Sequence, residues 1–176
     1  MLYIFGGLPG TGKTTLARHL ARVTNAMHLR IDTIEQALRE NGGMVNGTEG
    51  YVVAYRVAAD NLALGLSVVA DSVNPLGITR AAWRKVATDA RVPFVEIEII
   101  CSDPNAHRAR VEERKTDIEG LTLPTWEKVM QRHYEVWTTP HLVIDTAGQT
   151  VSASAEMLDR ALGAWLDARL RAQKTN

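Results

Sequence analysis

The chain has few of the residues that mark secreted, membrane-spanning or strongly charged proteins. Only one of its 176 residues is cysteine, so no intramolecular disulfide can form and a reducing compartment fits. Its 20 basic and 20 acidic residues cancel, so no overall field attracts nucleic acid or an anionic membrane. No stretch approaches the ~20 apolar residues of a membrane span, and the first residues lack the basic segment of a signal peptide. These absences predict a cytoplasmic protein without a membrane partner, folded as one domain over residues 1–176, and they leave the oligomeric state open.

The most informative pattern lies at the start of the chain, where an apolar run at residues 2–5 predicts a buried strand. The segment that follows matches G-x-x-x-x-G-K-[ST] at Gly7, Gly12, Lys13 and Thr14. In this pattern backbone N–H groups cradle phosphates, the lysine reaches the β- and γ-phosphates, and the threonine hydroxyl binds Mg²⁺. A helix predicted at 15–23 supplies an anion-binding N-terminus, which a merely structural glycine turn would not need. The residues predicted to contact a nucleoside triphosphate here are Gly7, Leu8, Pro9, Gly10, Thr11, Gly12, Lys13, Thr14 and Thr15.

Strand-like and helix-like segments alternate along the rest of the chain. This alternation predicts an α/β fold in which helices cover both faces of a parallel sheet. Ligands of such a sheet bind at the carboxyl ends of its strands. The glycine-rich segment 41–50 is predicted to be a mobile loop. The predicted strands are 2–5, 27–31, 67–71, 92–101 and 141–145, and the predicted helices are 15–23, 32–40, 49–66, 78–90, 104–115, 124 to about 137, and 152–171.

Two aspartates stand at the ends of predicted strands and therefore at the edge where phosphates bind. Asp71 ends the third strand and is predicted to hold Mg²⁺, although an aspartate that starts the DSVNP turn is the alternative. Asp32 ends the second strand and forms a capping-box-like pattern with Glu35, which makes it a candidate N-cap. A carboxylate at that place is also suited to accept the proton of an attacking hydroxyl, and the two roles are compatible.

A charged segment at 107–115 follows the fourth predicted strand. Arg110 and Arg114 are four residues apart and are predicted to share one helix face. Guanidinium groups stabilise the charge of a transferring phosphoryl group through bidentate hydrogen bonds, so this segment predicts a lid at about 105–123. The alternative is a solvated helix with Arg–Glu pairs.

The sequence DTAGQ at 145–149 copies a switch motif of small GTPases. In those proteins the motif follows the glycine loop much sooner and precedes an N-K-x-D motif, which this chain lacks. The GTPase interpretation is therefore rejected. The segment Thr146, Ala147 and Gly148 is instead predicted to be a loop that borders the nucleotide base.

The remaining polar and aromatic residues give weaker signals. No metal-ligand spacing relates the histidines, which are predicted to be surface or core residues. The tryptophans lie among apolar residues of predicted helices, where core packing is the default. Five residues near the glycine-rich loop or the end of the third strand are open candidates for substrate contact: Tyr51, Tyr55, Arg56, Asn74 and Arg80.

With these motifs in this order, the chain resembles the small kinases of the P-loop superfamily, in the zeta-toxin and AAA_33-like group. The segments GLPGTGKTT, RID, VVADSVNP, HRARVEER, LPTWEKVMQRHYEVW and LVIDTAG carry the resemblance. Related proteins include chloramphenicol phosphotransferase, gluconate and shikimate kinases, and the kinase domain of polynucleotide kinases. The resemblance implies a three-layer fold with five parallel strands in the order 2-3-1-4-5. It also implies that Asp32 is a general base and that Arg110 and Arg114 are lid arginines.

The chain departs from two of these relatives at the acceptor side. Polynucleotide kinases place an arginine shortly after the catalytic aspartate, where this chain has Ile34, Glu35 and Gln36. This departure and the zero net charge both argue against a nucleic-acid acceptor. Gluconate and shikimate kinases bind anionic acceptors with arginines, and the sequence offers only Arg56 and Arg80 as equivalents. An acidic acceptor is therefore not predicted.

The sequence thus predicts an enzyme that moves the γ-phosphate of ATP to a hydroxyl of a small molecule with Mg²⁺ as cofactor. Lys13 and Thr14 bind the phosphates and the metal ion, and Asp32 is the candidate base. Two alternatives remain open: a kinase of polynucleotide 5′-hydroxyl ends, and a nucleotide-binding regulator or toxin-like effector with little metabolite turnover. The pattern leaves the acceptor and the preference for ATP over GTP undecided.

Overall fold

The computed structural model describes residues 1–43, 45 and 47–174, with side chains as far as residue 171. Its strands are β1 (Leu2–Gly6), β2 (Met27–Arg30), β3 (Val68–Asp71), β4 (Phe94–Ile100) and β5 (Leu142–Asp145). Its helices are α1 (Lys13–Thr24), α2 (Ile31–Glu40), α3 (Glu49–Ala63), α4 (Gly77–Asp89), α5 (Pro104–Glu113), α6 (Trp126–Met130) and α7 (Val151–Lys174).

The strands form one five-stranded sheet in the order β2-β3-β1-β4-β5, and every pair is parallel. The central strand β1 is buried along its whole length, as its run of apolar residues predicts. Parallel strands end at the same edge, so the loops after β1, β2 and β3 meet there. The predicted fold class and strand order are therefore confirmed.

Alternating side chains of β1 divide the core into two apolar clusters. Tyr3 and Phe5 pack with α1 and α7 on one face of the sheet. Leu2 and Ile4 pack with α3 and α4 on the other face, where Trp83 is fully buried. Helices thus cover both faces, which fixes the position of the sheet edge that carries the loops.

The predicted helix from 124 to about 137 is wrong, because α6 spans only five residues. Thr125 is its N-cap and accepts a hydrogen bond from the N–H of Lys128, so Pro124 precedes the helix. The chain beyond α6 does not stay helical, because the N–H of Glu135 donates to the carbonyl of Pro75 at 2.9 Å and not to a carbonyl four residues earlier. The Arg80 guanidinium donates to the carbonyls of Glu135 and Val136, at 2.6 and 3.2 Å.

One further prediction is wrong at the end of a helix, and another lies partly outside the described residues. Helix α5 ends at Glu113, and Arg114 follows it with an extended backbone (φ −63°, ψ 144°), so Arg114 does not share a helix face with Arg110. The predicted mobile loop at 41–50 includes residues 44 and 46, which lie outside the described residues. Among the residues that the structure describes, no helix combines the length and apolar character that crossing a bilayer requires.

Candidate active site

The glycine-rich loop between β1 and α1 has the backbone that phosphate binding requires. Gly7 has a φ of +137°, and a Cβ there would lie 2.2 Å from the carbonyl oxygen of Ile99, so only glycine fits. Gly10 has a φ of +89°, and its Cβ would meet Val111 of α5 at 2.5 Å. Gly12 caps α1 without a side-chain hydrogen bond, which leaves the N–H groups of the first turn available to an anion.

The side chains that follow the loop converge on Asp71 at the end of β3. Lys13 Nζ lies 2.9 Å and Thr14 Oγ1 lies 3.3 Å from the Oδ1 atom of Asp71. His28 Nε2 lies 3.1 Å from the other carboxylate oxygen. Asp71 is 1% exposed. Burial alone would raise the pKa of Asp71, but the ammonium of Lys13 and the hydrogen bond from His28 hold it well below its usual range.

These residues fit a magnesium ion bound together with a triphosphate. The charged carboxylate of Asp71 and the hydroxyl of Thr14 are oxygen ligands of the kind that Mg²⁺ prefers, and they are 3.3 Å apart. Magnesium in nucleotide sites takes one or two protein ligands and completes its shell with phosphates and water. Within the described part of the chain, no three His, Cys, Asp or Glu side chains are grouped to hold a metal ion by themselves.

Asp32 is the second residue of α2, and Arg30 occupies the N-cap position, so the predicted N-cap role of Asp32 is wrong. Its side chain is 43% exposed, and its Oδ2 atom lies 3.9 Å from Arg30 Nε. Since Arg30 pairs with Asp71 across the sheet, Asp32 stands close to the end of β3. Its charge helps to raise the pKa of Glu35, after the larger effect of burial.

The two arginines that the sequence predicts for a lid make different contacts. Arg110 donates to the hydroxyl and the carbonyl of Thr146, at 2.7 and 2.8 Å, and the Thr146 hydroxyl in turn lies 2.9 Å from the carbonyl of Thr11. Helix α5 is thereby tied to the segment Thr146–Gly148 and to the glycine-rich loop. Burial lowers the pKa of Arg114, an effect that the nearby charge of Asp32 opposes.

Helix α5 and the loop after it are held over the site by two residues that the sequence analysis did not single out. His107 is buried, and its Nε2 atom lies 2.9 Å from the carbonyl of Pro9 in the glycine-rich loop. Asp117 accepts hydrogen bonds from Arg30, at 2.8 Å, and from Arg18. The bond from Arg30 has the larger effect, and together the two bonds hold the pKa of Asp117 well below its usual range.

A cavity of about 700 Å³ lies between the glycine-rich loop and this lid. Cationic side chains outnumber acidic ones on its walls, so the cavity is electrostatically suited to a polyanion such as a nucleoside triphosphate. The cations are Lys13, Arg18, Arg30, Arg110, Arg114 and Lys115, and the acids are Glu113 and Asp117.

Several residues that were open candidates for substrate contact have structural partners. Arg80 is 2% exposed and donates to the carbonyls of Asn74, Pro75, Glu135 and Val136, so it is a buried structural residue. The Tyr51 hydroxyl accepts a hydrogen bond from the N–H of Asn74. Sequence reasoning had no means to find Arg30 and His28, because both depend on the register of β2 against β3.

A family model for an AAA domain, AAA_33, matches residues 2–136. The chain belongs to the AAA_33 family. This AAA_33 chain is 25% identical over 170 residues to an Aeropyrum pernix protein named "Probable adenylyl-sulfate kinase", with 86% of each chain covered. It is 31% identical over 163 residues to an uncharacterized protein of Mycobacterium tuberculosis. That match covers 84% of this chain but only 32% of the relative, so the chain spans about a third of it.

Two solved structures share the fold of this AAA_33 chain. A gluconokinase from Sinorhizobium meliloti has a TM-score of 0.69 at 14% identity, with 97% of this chain and 95% of that chain covered. The APS kinase CysC of Mycobacterium tuberculosis, in complex with AMPPNP and APS, has a TM-score of 0.63 at 20% identity, with 92% and 96% covered. At these identities the likeness shows the fold, which is a kinase-like P-loop fold.

Proposed function

We propose that this AAA_33 chain is a Mg²⁺-dependent kinase that transfers the γ-phosphate of ATP to a hydroxyl group of a small molecule. The observation that carries the proposal is the arrangement at the ends of β2 and β3. A charged, buried Asp71 there contacts both Lys13 and Thr14, while the half-exposed Asp32 stands at the end of the neighbouring strand. The relatives named as kinases support the same reaction class.

The glycine-rich loop and the first turn of α1 bind the phosphate chain through backbone N–H groups. Lys13, which contacts Asp71 in the structure, extends its ammonium to the β- and γ-phosphates when a triphosphate is bound. Bound Mg²⁺, held by Thr14 and Asp71, would neutralise phosphate charge. The segment Thr146, Ala147 and Gly148 borders the nucleotide base, and Arg110 positions it through two hydrogen bonds.

Asp32 accepts the proton of the acceptor hydroxyl, because a partly exposed carboxylate at the end of β2 is suited to that role. Arg110 closes over the transferring group from the lid, where a guanidinium group stabilises its developing charge, while Arg114 lies near Asp32 on the side of the acceptor. Asp117 accepts hydrogen bonds from Arg18 and Arg30, and these bonds hold the loop after α5 against α1 and the end of β2. Closure keeps water away from the γ-phosphate, which would otherwise be hydrolysed.

The deciding experiment measures ADP release from Mg-ATP in the presence of a panel of hydroxyl acceptors: sugars, sugar acids, nucleosides, antibiotics and short oligonucleotides. Lys13→Ala is the inactive variant, and Lys85→Ala is the matched control, because Lys85 is an exposed lysine of α4 paired with Asp89. Stimulation by one small acceptor, lost in Lys13→Ala and in Asp32→Ala but kept in Lys85→Ala, is the expected result. Slow hydrolysis that no acceptor stimulates would contradict the proposal and favour a nucleotide-binding regulator.

A further inference from the structure

Two arginines beside Asp32 have buried N–H groups without hydrogen-bond partners. The unpartnered atoms are Nε and Nη2 of Arg114 and Nε of Arg30, counted over the residues that the structure describes. Nε and Nη2 form one edge of the planar guanidinium group, the edge that binds a carboxylate or phosphate through two parallel hydrogen bonds. Buried donors of this kind nearly always have partners in folded proteins, so these three call for an acceptor atom.

The protein's own acids do not satisfy these donors. The Asp32 carboxylate lies 3.9 Å from Arg30 Nε, which exceeds hydrogen-bond distance. Asp117 already accepts from Arg30 Nη1 and from Arg18. The guanidinium groups of Arg30 and Arg114 also repel each other, which adds to the effect of burial in lowering the pKa of Arg114. An anion between them would relieve both the repulsion and the missing hydrogen bonds.

The nucleotide already has its own set of partners in this site. The loop N–H groups, Lys13 and the first turn of α1 serve its phosphates, and Arg110 is bonded to Thr146 on the base side. Arg30 lines the same cavity, but it stands at the end of the edge strand β2, two residues before Asp32. It therefore stands on the side from which the acceptor approaches the candidate base.

We propose that the natural acceptor carries an anionic group, a carboxylate or a phosphate or sulfate ester, which Arg30 and Arg114 bind together beside Asp32. This inference rests on the proposed kinase function and names the substrate class of that same site. It reverses the expectation from sequence, in which Arg56 and Arg80 were the only candidates for binding an acidic acceptor. Arg80 is occupied by four backbone carbonyls, whereas the free donors belong to two arginines that the fold brings together.

The test measures anion binding to protein that is first saturated with Mg-AMPPNP, so that the glycine-rich loop is filled. Inorganic phosphate, sulfate and gluconate are then titrated by calorimetry, with glucose as the neutral counterpart of gluconate. Arg30→Gln and Arg114→Gln are expected to weaken anion binding at least ~10-fold, as the loss of a bidentate charged contact predicts. Arg30→Lys keeps the charge but loses the planar fork, so partial binding is expected.

The matched control is Arg56→Gln, which removes an exposed arginine of α3 outside the cavity walls and is expected to bind anions like the wild type. The far-UV circular dichroism spectrum of Arg30→Gln is expected to equal that of the wild type, which shows that the variant is folded. Equal binding of glucose and gluconate, unchanged anion binding in both glutamine variants, or no anion binding at all to the nucleotide-saturated protein would overturn the inference. Failure of the proposed function itself would appear separately, as the absence of Lys13-dependent ADP release that any acceptor stimulates.

Discussion

Replacing Asp71 by asparagine tests the charge arrangement on which the site depends. The Lys13 ammonium is buried and lies 2.9 Å from the Asp71 carboxylate, so Asp71→Asn leaves a buried cation without its counter-charge. Removing one partner of a buried ion pair costs about 3–5 kcal/mol. For a chain of this length each kcal/mol shifts the melting temperature by about 2–4 °C, so the midpoint should fall by roughly 6–20 °C.

The pH dependence of stability gives the same prediction a second measurement. The pKa of Asp71 in the folded protein lies well below its usual value, so its stabilising effect is complete above an unfolded pKa of about 3.9. That effect is lost as the pH falls from there toward the folded pKa. Asp71→Asn removes this acid-sensitive contribution, so the gap between variant and wild type should narrow below about pH 4.

The assay is calorimetric or fluorescence-detected melting at pH 7 and across acid pH, without nucleotide. Asp89→Asn is the matched control, because Asp89 makes an exposed ion pair with Lys85 whose loss costs at most about 1 kcal/mol. A double variant that adds Lys13→Met should recover part of the lost stability, since it removes the uncompensated cation. If Asp71→Asn melts within a degree or two of the wild type, the reasoning about a buried charged pair is refuted.

Three further predictions follow from contacts outside the glycine-rich loop. His28→Phe removes the hydrogen bond that orients the second oxygen of Asp71, so the Mg²⁺ concentration that half-saturates nucleotide binding should rise about tenfold. Nucleotide binding measured without metal should change little. His28→Asn should restore part of the Mg²⁺ dependence. Asp117→Asn weakens the exposed bonds that hold the lid to Arg18 and Arg30, so acceptor-independent ATP hydrolysis should rise by ~1.4- to 5-fold, measured as ADP release. Arg80→Met removes one donor from each of four backbone carbonyls, of which that of Pro75 keeps a bond from the N–H of Glu135, so unfolding in urea should show a loss of about 3 kcal/mol or more.

Each of these has a result that would contradict it. An unchanged Mg²⁺ midpoint in His28→Phe would mean that the Asp71 carboxylate keeps its orientation without the histidine. Hydrolysis that stays at the wild-type rate in Asp117→Asn would show that the lid closes by other contacts, such as the bond from His107 to Pro9. A wild-type urea midpoint in Arg80→Met would mean that water or relaxed backbone satisfies the freed carbonyls.

Local patterns were sufficient to predict a parallel sheet covered by helices, whereas its strand order was implied by the resemblance to P-loop kinases. A strand end and a short motif predicted that Lys13, Thr14 and Asp71 lie at one edge of the sheet, and the structure has these three side chains in contact there. The contacts on the acceptor side escaped prediction for a physical reason. Arg30 and His28 are adjacent to Asp71 only through the register of an edge strand, and no local pattern encodes that register.

The wrong helix after residue 124 and the misjudged Arg80 have a single cause. The segment from 124 to 137 has helix-like spacing, so local propensity favours a helix there. Helical propensity contributes only tenths of a kcal/mol per residue, whereas the buried guanidinium of Arg80 requires acceptors for its N–H groups. The carbonyls of Glu135 and Val136 supply two of those acceptors, and the N–H of Glu135 donates to the carbonyl of Pro75 and not within a helix. A cation that sequence reasoning left open as a substrate contact is thus bound within the fold, and this is why the unpartnered donors of Arg30 and Arg114 carry the argument for an anionic acceptor.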